Sequence, residues 1–262
     1  MPQDIPKYAQ ASPLKGFGIV LTQSTGDQST GDPSASAFDI LVKQGAHIHR
    51  LPLIQTQWVP YSLQKEVFRW LFFTSTKGVE GFFQSQQTQL THVNIASIGP
   101  ATTDALGKYG LLPSFESPSG SGEAFTLAFQ DYLKDKPEMI GPVLWPCGNL
   151  ANPRIKSLWQ ETPLAGFYPL EVYQTKDHCH SITHINQALS SSHFIVFASP
   201  SAVQSLKNQA PEWFKEDFPL KIVCIGETTA NKSRELLGRV DIIPEKPSYE
   251  HLAMAITDFL LS

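Results

Sequence analysis

The sequence has few cysteines, no long apolar run and no excess of positive charge. Its three cysteines, Cys147, Cys179 and Cys224, are odd in number and widely spaced, which excludes a disulfide scaffold and indicates a reducing compartment. No run of about 18 apolar residues could span a bilayer. Twenty Lys and Arg against 24 Asp and Glu give a net charge of −4, which argues against binding nucleic acid through its phosphates. The first residues lack the layout of a secretion signal, so we expect a cytoplasmic protein without a membrane or nucleic-acid partner.

Short apolar runs alternate with amphipathic helical patterns along most of the chain. Residues 16–21 (GFGIVL) and 47–53 (HIHRLPL) have the length and bulk of strands, with a helical pattern between them. Strands that alternate with helices indicate parallel sheets covered by helices on both faces. With 262 residues, and roughly 150 residues per domain as a prior, the sequence predicts an α/β protein of two domains.

A diverged internal repeat gives more detail. The segments LFFTSTKG and FIVFASPSAV each end an apolar strand at a serine, Ser75 or Ser199, placed where a helix N-cap belongs. At similar distances downstream, Gly99 and Gly226 each follow another apolar strand and precede a Thr-Thr pair that opens a helix. The repeat predicts two matched α/β domains.

The two copies are not simply in tandem. An extra strand–helix unit precedes the first copy, another follows it, and the second copy has none of its own. If each sheet needs about five strands, the N-terminal unit must complete the second sheet. This layout predicts one domain from residues 1–52 plus 173–262 and another from residues 53–172. The chain would cross between them near 51–57 and 169–176, so the predicted fold is two similar flavodoxin/Rossmann-like parallel-sheet domains joined by a two-stranded hinge.

In this layout the sequence resembles the uroporphyrinogen-III synthase family. The resemblance rests on the order of IGPATTDALGKYGL, VLWPCGNLANPRIKSLW, PLEVYQT, VFASPSAV and IGETTANKSRELL. It implies a cofactor-free enzyme that closes the linear tetrapyrrole hydroxymethylbilane, with loss of water and inversion of the last pyrrole ring. It also implies an active site in the cleft between the domains. We expect a monomer with a small-molecule substrate, and a transient contact with the preceding enzyme of the pathway.

The predicted substrate carries eight carboxylates, so a protein of net charge −4 must attract it locally. Helix N-termini offer unpaired backbone N–H groups and the positive end of a dipole, and they lie at the carboxyl edge of a parallel sheet. The alternative for each residue is ordinary helix capping. The candidate substrate-binding residues at helix starts are Ser75, Gly99, Thr102, Thr103, Ser199, Gly226, Thr228 and Thr229.

The resemblance makes Tyr173 the candidate catalytic residue, as a hydrogen-bond donor to the departing hydroxyl of the substrate. A phenol with a pKa near 10 is a weak acid at neutral pH, and packing beneath the crossing strand is its alternative role. Arg154 and Lys77 are candidate partners for substrate carboxylates, with surface solubility as their alternative. His178, Cys179, His180 and His184 lack metal-ligand spacing, so we predict no metal site.

Two positions depart from the family pattern. Gln23 stands where the family commonly has an Arg-Pro pair after the first strand, and Glu227 stands where a proline is usual. These departures keep a second hypothesis open, in which a degenerate homologue binds a tetrapyrrole or another polyanion without turnover.

Overall fold

The computed structural model describes residues 13–23, 39–63, 68–84, 93–117, 121–162, 164–214 and 218–261. Strands and helices alternate along the chain, and the α/β class with parallel sheets is confirmed. The contacts divide the chain into two compact units. Unit one comprises Met1–Gln55 with Lys176–Ser262, and unit two comprises Thr56–Thr175.

In chain order the strands are β1 (Gly18–Leu21), β2 (His47–Arg50), β3 (Ile54–Trp58), β4 (Trp70–Phe73), β5 (Asn94–Ser97), β6 (Phe115–Glu116), β7 (Val143–Gly148), β8 (Phe167–Asp177), β9 (Phe194–Phe197) and β10 (Lys221–Cys224). The helices are α1 (39–43), α2 (Thr76–Gln84), α3 (Pro100–Gly107), α4 (Gly122–Lys134), α5 (Pro153–Glu161), α6 (Ile182–Ser190), α7 (Pro200–Gln209), α8 (Glu227–Leu237) and α9 (Tyr249–Leu261).

The sheet of unit one has the order β10-β9-β1-β2, and all of its pairs are parallel. The N-terminal strands therefore complete the sheet that the second repeat copy begins, as the sequence predicts. Apolar residues alternate between the two faces of this sheet. Val20 and Ile195 face one buried cluster, whereas Ile19 and Phe194 face the other. Helices cover both faces, which is the arrangement expected for a parallel sheet.

The other sheet has the order β3-β8-β7-β4-β5-β6. Its central strands are buried along their whole length, and one of its two faces packs a cluster of aromatic rings. Phe72 and Phe125 stack with ring centroids 4.2 Å apart, and Trp70 meets Phe129 edge-to-face at 4.8 Å. These rings fix α4 against the sheet, and with it the start of α4 at the sheet's carboxyl edge.

The two units are circular permutations of one strand order. If the strands of unit two are numbered one to five in chain order from β4 to β8, their order across the sheet is 3-2-1-4-5, which is β6-β5-β4-β7-β8. The strands of unit one have the same order if they are numbered from β9 and β10 through the C-terminal segment and then on to β1 and β2. The third place is then held by Ile242, through a parallel bridge to Val223.

The strands β3 and β8 contain the two points where the chain passes between the units, and they are neighbours in the sheet. Val59 N–H donates to Val172 O over 3.0 Å, and His178 N–H donates to Leu53 O over 2.9 Å. Because one residue number rises as the other falls, the two strands are antiparallel. The predicted two-stranded connection is therefore present, with β3 beginning at Ile54 rather than at residue 51.

Candidate active site

A pocket of about 240 Å³ opens at the carboxyl edge of the sheet in unit two. It lies between β4 and β7, whose onward connections run in opposite directions, from β4 to β5 and from β7 to β8. Such a reversal of strand order is the usual ligand position in open α/β sheets. The pocket is lined by Thr74, Ser75, Ile98, Gly122, Trp145, Cys147, Gly148, Ala151, Asn152, Ile155 and Tyr173.

Tyr173, the predicted catalytic residue, lines this pocket from β8. The register of β8 against β7 is irregular, because Cys147 lies opposite Glu171 and Gly148 lies opposite Tyr173. The extra residue on β8, Val172, marks a β-bulge, a feature that redirects the neighbouring side chains. The Tyr173 hydroxyl forms a side-chain hydrogen bond with Ser75. Burial raises the pKa of Tyr173 above 10, and the Ser75 hydrogen bond opposes that rise, so the phenol stays a proton donor at neutral pH.

Ser75 also starts α2, as its position in the repeat predicts. Its Oγ accepts a hydrogen bond from the Gly78 N–H at 3.0 Å. The first turn of α2 packs closely on β7, since a β-carbon at Gly78 would stand 2.8 Å from Pro146 O. Next to Ser75, Thr74 Oγ1 accepts from the indole N–H of Trp145 at 3.0 Å. These contacts hold the start of α2 at the pocket.

Two further helix starts reach the pocket. Asn152 caps α5 by accepting from the Arg154 N–H at 2.9 Å, and Ser121 caps α4 by accepting from the Ala124 N–H at 3.4 Å. Asn152 and Gly122 both line the pocket. Together with α2, three helix N-termini therefore border one small volume, which suits a carboxylate. Neither start was predicted from the sequence as part of a binding site, although an Asn-Pro pair and a serine before a helical pattern are ordinary start signals.

Cys147 is a pocket residue that our sequence analysis also missed. It is 7% exposed, and burial, followed by the charge of Glu171, raises the pKa of its thiol to about 11. A backbone hydrogen bond at Leu170 opposes the rise. The thiol is therefore protonated at neutral pH, and it contributes a small apolar surface rather than a thiolate.

The predicted threonine pairs lie at two helix starts, but they are offset by one residue. Gly99 and Gly226 are the N-cap residues of α3 and α8. The third helical residue is Thr102 in α3 and Thr229 in α8, and each is 3% exposed. Because both hydroxyl groups are buried, these starts present backbone N–H groups rather than the two buried hydroxyls.

The other two threonines differ from each other. Thr103 Oγ1 donates to Glu116 Oε2 at 2.5 Å and lies 2.8 Å from Ser97 Oγ, so its hydroxyl already has partners. Thr228 is exposed at the second position of α8. The pairs differ in position because two residues, Pro100 and Ala101, separate Gly99 from its threonines, whereas only Glu227 separates Gly226 from its own.

Arg154 and Lys77, the predicted cationic partners, lie outside the pocket lining. Arg154 is exposed on α5 and forms a two-point ion pair with Glu161, one contact of which is Nη2 to Oε2 at 3.2 Å. Lys77 on α2 donates to Thr56 Oγ1 at 2.6 Å. Both cations are engaged within unit two.

In unit one, Ser199 is the counterpart of Ser75 and Gln23 is the counterpart of Cys147. Ser199 caps α7 by accepting from the Ala202 N–H at 3.3 Å. The strand registers pair Trp70 with Val143 and Phe194 with Ile19, so Gln23 is the counterpart of Cys147. Among the described residues, the buried Oε1 atom of Gln23 has no hydrogen-bond partner.

The histidine cluster of unit one is a stack of rings. The ring of His180 lies 4.8 Å from that of His178 and 5.1 Å from that of His184, and both pairs are nearly parallel. His180 Nε2 lies 2.7 Å from Pro52 O. Within the described ranges, no group of three or more histidine, cysteine or acidic side chains has the arrangement of a metal site.

The comparison with known families identifies the fold and its relatives. The family profile for uroporphyrinogen-III synthase HemD matches residues 38–254. The chain belongs to the uroporphyrinogen-III synthase family. A uroporphyrinogen-III synthase of Schizosaccharomyces pombe is 25% identical over 177 residues, and the match spans 66% of each chain, just under two thirds of that relative's length.

Solved synthase structures have the same fold. The uroporphyrinogen-III synthetase of Helicobacter pylori superposes with a TM-score of 0.65 at 18% identity, covering 93% of this chain and 99% of that one. A mutant synthase of Thermus thermophilus gives a TM-score of 0.60 at 14% identity, with 93% and 97% covered. In the described part of this family member, no helix is long and apolar enough to cross a membrane.

Proposed function

We propose that this synthase-family protein closes hydroxymethylbilane to uroporphyrinogen III, and that Tyr173 assists the loss of water. The observation that carries the proposal is the Tyr173 hydroxyl, which lies beside Ser75 in a pocket that three helix N-termini border. Membership of the family gives the reaction, and the pocket provides a proton donor beside a carboxylate-binding edge.

The first step breaks the carbon–oxygen bond of the substrate's hydroxymethyl group, which makes the enzyme a carbon–oxygen lyase. Hydroxide is a poor leaving group, so a hydrogen bond from the Tyr173 hydroxyl to the departing oxygen stabilises the transition state. A proton joins the departing hydroxide, which leaves as water, while the electron pair of the pyrrole nitrogen moves into the ring. Loss of the N–H proton from that nitrogen gives a neutral azafulvene electrophile and balances the proton delivered to the hydroxide. No oxidation level changes overall, so the proposed reaction calls for no redox cofactor.

In the second step the azafulvene carbon bonds to the substituted carbon of the terminal ring, which gives a spiro intermediate. The older bond from that carbon to its neighbouring methylene then breaks, and the ring rejoins the chain through its free α-carbon, which loses its proton. Unassisted closure gives the type I isomer, so the protein must hold the ring in the pose that leads to inversion. Fixing one reacting geometry is worth several kcal/mol in enzymes generally, on the order of 7 to 11 in the best intramolecular cases. We assign that positioning to the substrate's carboxylates, each held by backbone N–H groups at a helix start.

The remaining predicted residues take the following roles in this proposal. Ser75 and Ser199 cap their helices and present hydroxyls at the sheet edges of their units. The starts of α3 and α8 act through backbone N–H groups, because two of the threonine hydroxyls are buried. Arg154 and Lys77 meet a carboxylate only by leaving Glu161 and Thr56. The residues assigned to the starts of α3 and α8 are Gly99, Thr102, Thr103, Gly226, Thr228 and Thr229.

The setting of the proposed reaction is the cytoplasm, which agrees with three free cysteines. We propose a monomer that receives its substrate through a transient contact with the enzyme that makes it. The chemistry of the substrate supports such a contact, because hydroxymethylbilane that is free in solution closes to the type I isomer.

An isomer assay tests the proposal. Hydroxymethylbilane is generated in situ, the purified protein is added, and the oxidised uroporphyrins I and III are separated by chromatography. We expect type III product in proportion to the protein concentration. Type I alone, formed at the protein-free rate, would contradict the synthase proposal and favour a binding protein without turnover.

A further inference from the structure

A short turn after β7 contains an exposed leucine beside residues that line the pocket. Leu150 is 63% exposed and lies between Gly148 and Ala151, which line or border the pocket volume on either side of it. Ala151 packs against the aromatic cluster of unit two, whereas Leu150 belongs to no apolar cluster among the described residues. The turn therefore packs the Ala151 side chain on the core and leaves the larger Leu150 side chain exposed.

The turn is held firmly, so Leu150 has a fixed place. The side chain of Asn149 pairs with Thr175 on β8 through two hydrogen bonds. Its Oδ1 accepts from the Thr175 N–H at 2.8 Å, and its Nδ2 donates to Thr175 O at 3.2 Å. The Ala151 N–H donates to Gly148 O at 3.0 Å, and Asn149 N–H donates to Tyr173 O at 3.3 Å. The turn is thus tied to the strand that carries Tyr173.

A single exposed leucine is common on protein surfaces and alone indicates nothing. Leu112 of the same unit is 81% exposed, and it precedes β6, so it lies at the amino edge of the parallel sheet. Leu150 follows the carboxyl end of β7, where the pocket opens. The two residues have the same chemistry and similar exposure but lie at opposite edges of one sheet.

We infer that Leu150 is a substrate-contacting residue whose side chain packs on the face of a pyrrole ring at the pocket mouth. The inference rests on the proposed function, since a pyrrole with carboxylate side chains needs a carboxylate-binding surface and an apolar surface. Its carboxylates are received by the helix starts around the pocket, and the carbon face of its ring is received by an apolar side chain. Within the pocket lining, Ile98 and Ile155 lie deeper, among the residues that pack on the core.

The test compares Leu150→Ala with Leu112→Ala as the matched control and Leu150→Met as the conservative variant. Loss of about 50 Å² of apolar contact corresponds to about a fivefold to tenfold loss of affinity. We expect the KM for hydroxymethylbilane to rise about fivefold in Leu150→Ala, with kcat within twofold of the wild type. Leu112→Ala and Leu150→Met should keep the wild-type KM.

A binding measurement gives a readout independent of turnover. Uroporphyrin III is a stable octacarboxylate, and its fluorescence anisotropy reports binding to the protein. Its Kd should rise by a similar factor in Leu150→Ala only. An unchanged KM and Kd in a Leu150→Ala enzyme that still makes type III product would overturn this inference alone. A wild-type protein that makes no type III product would overturn both the inference and the proposed function.

Discussion

The ring of Tyr173 lies against the backbone of Gly148. A β-carbon added at position 148 would stand 2.5 Å from both Cε2 and Cζ of that ring and 2.9 Å from its hydroxyl oxygen. Because Gly148 is the last residue of β7, the absence of a side chain there lets the phenol cross the end of the strand and reach Ser75. The close contact between the Gly148 backbone and the Tyr173 ring can therefore be tested by substitution.

Gly148→Ala should displace Tyr173 and lower the rate of type III formation about as far as loss of the phenol does. The reason is steric, since a contact of 2.5 Å forces the ring to move. The measurement is steady-state turnover beside thermal unfolding. Gly107→Ala is the control, because a β-carbon there meets nothing within 4 Å. It should keep full activity and gain up to about 1 kcal/mol of stability, as Ala replaces Gly within α3.

Helix capping by Ser75 and its proposed role in ligand binding can be separated by an isosteric pair of substitutions. Asp and Asn both cap helices well, so Ser75→Asp and Ser75→Asn should each keep the unfolding free energy within about 1 kcal/mol of the wild type. Only Asp adds a negative charge beside the proposed carboxylate site. We expect the KM to rise at least about tenfold more in Ser75→Asp than in Ser75→Asn. Equal KM values in the two variants would show that no substrate carboxylate approaches this helix start.

Stability should fall at alkaline pH because of two buried thiols. Burial raises the pKa of Cys147 to about 11 and that of Cys224 to about 12, from an ordinary value of 9.0. Both groups stay protonated in the folded state while the unfolded chain ionises, so their stabilising effect is complete below pH 9. It is lost as the pH rises from about 9 towards 11 for Cys147, by about 2 kcal/mol, and from about 9 towards 12 for Cys224.

Urea unfolding between pH 8 and pH 11 measures this effect. The decline with pH should be shallower in Cys147→Ala than in the wild type, whatever the packing cost of the substitution at pH 8. The exposed Cys179 supplies the control, and Cys179→Ala should follow the wild-type curve. The same slope in Cys147→Ala and the wild type would contradict the assigned burial of this thiol.

Much of the fold follows from local patterns in the sequence. Ser75 and Ser199 cap helices as predicted, because a serine between an apolar strand and a helical pattern has one favourable role. The count of strands in each copy also predicted that the N-terminal strands join the second sheet. That inference needs only the order of elements, and the strand order β10-β9-β1-β2 bears it out.

The details of the site depend on contacts between residues distant in sequence. The bulge that sets Tyr173 opposite Gly148 arises from the pairing of β7 with β8, and neither strand shows it alone. The burial of Thr102 and Thr229 depends on how α3 and α8 pack, which the Thr-Thr pairs alone do not specify. The partner of Arg154, seven residues along α5, depends on side-chain conformation, which a residue pattern does not specify.

Assistance of water loss by the Tyr173 hydroxyl is tested by Tyr173→Phe in the isomer assay. Tyr168→Phe, near the start of the same strand and 44% exposed, is the matched control. We predict at least an about tenfold fall in the rate of type III formation for Tyr173→Phe, with unfolding unchanged, and no fall for Tyr168→Phe. A Tyr173→Phe protein that makes type III product at the wild-type rate would contradict the account.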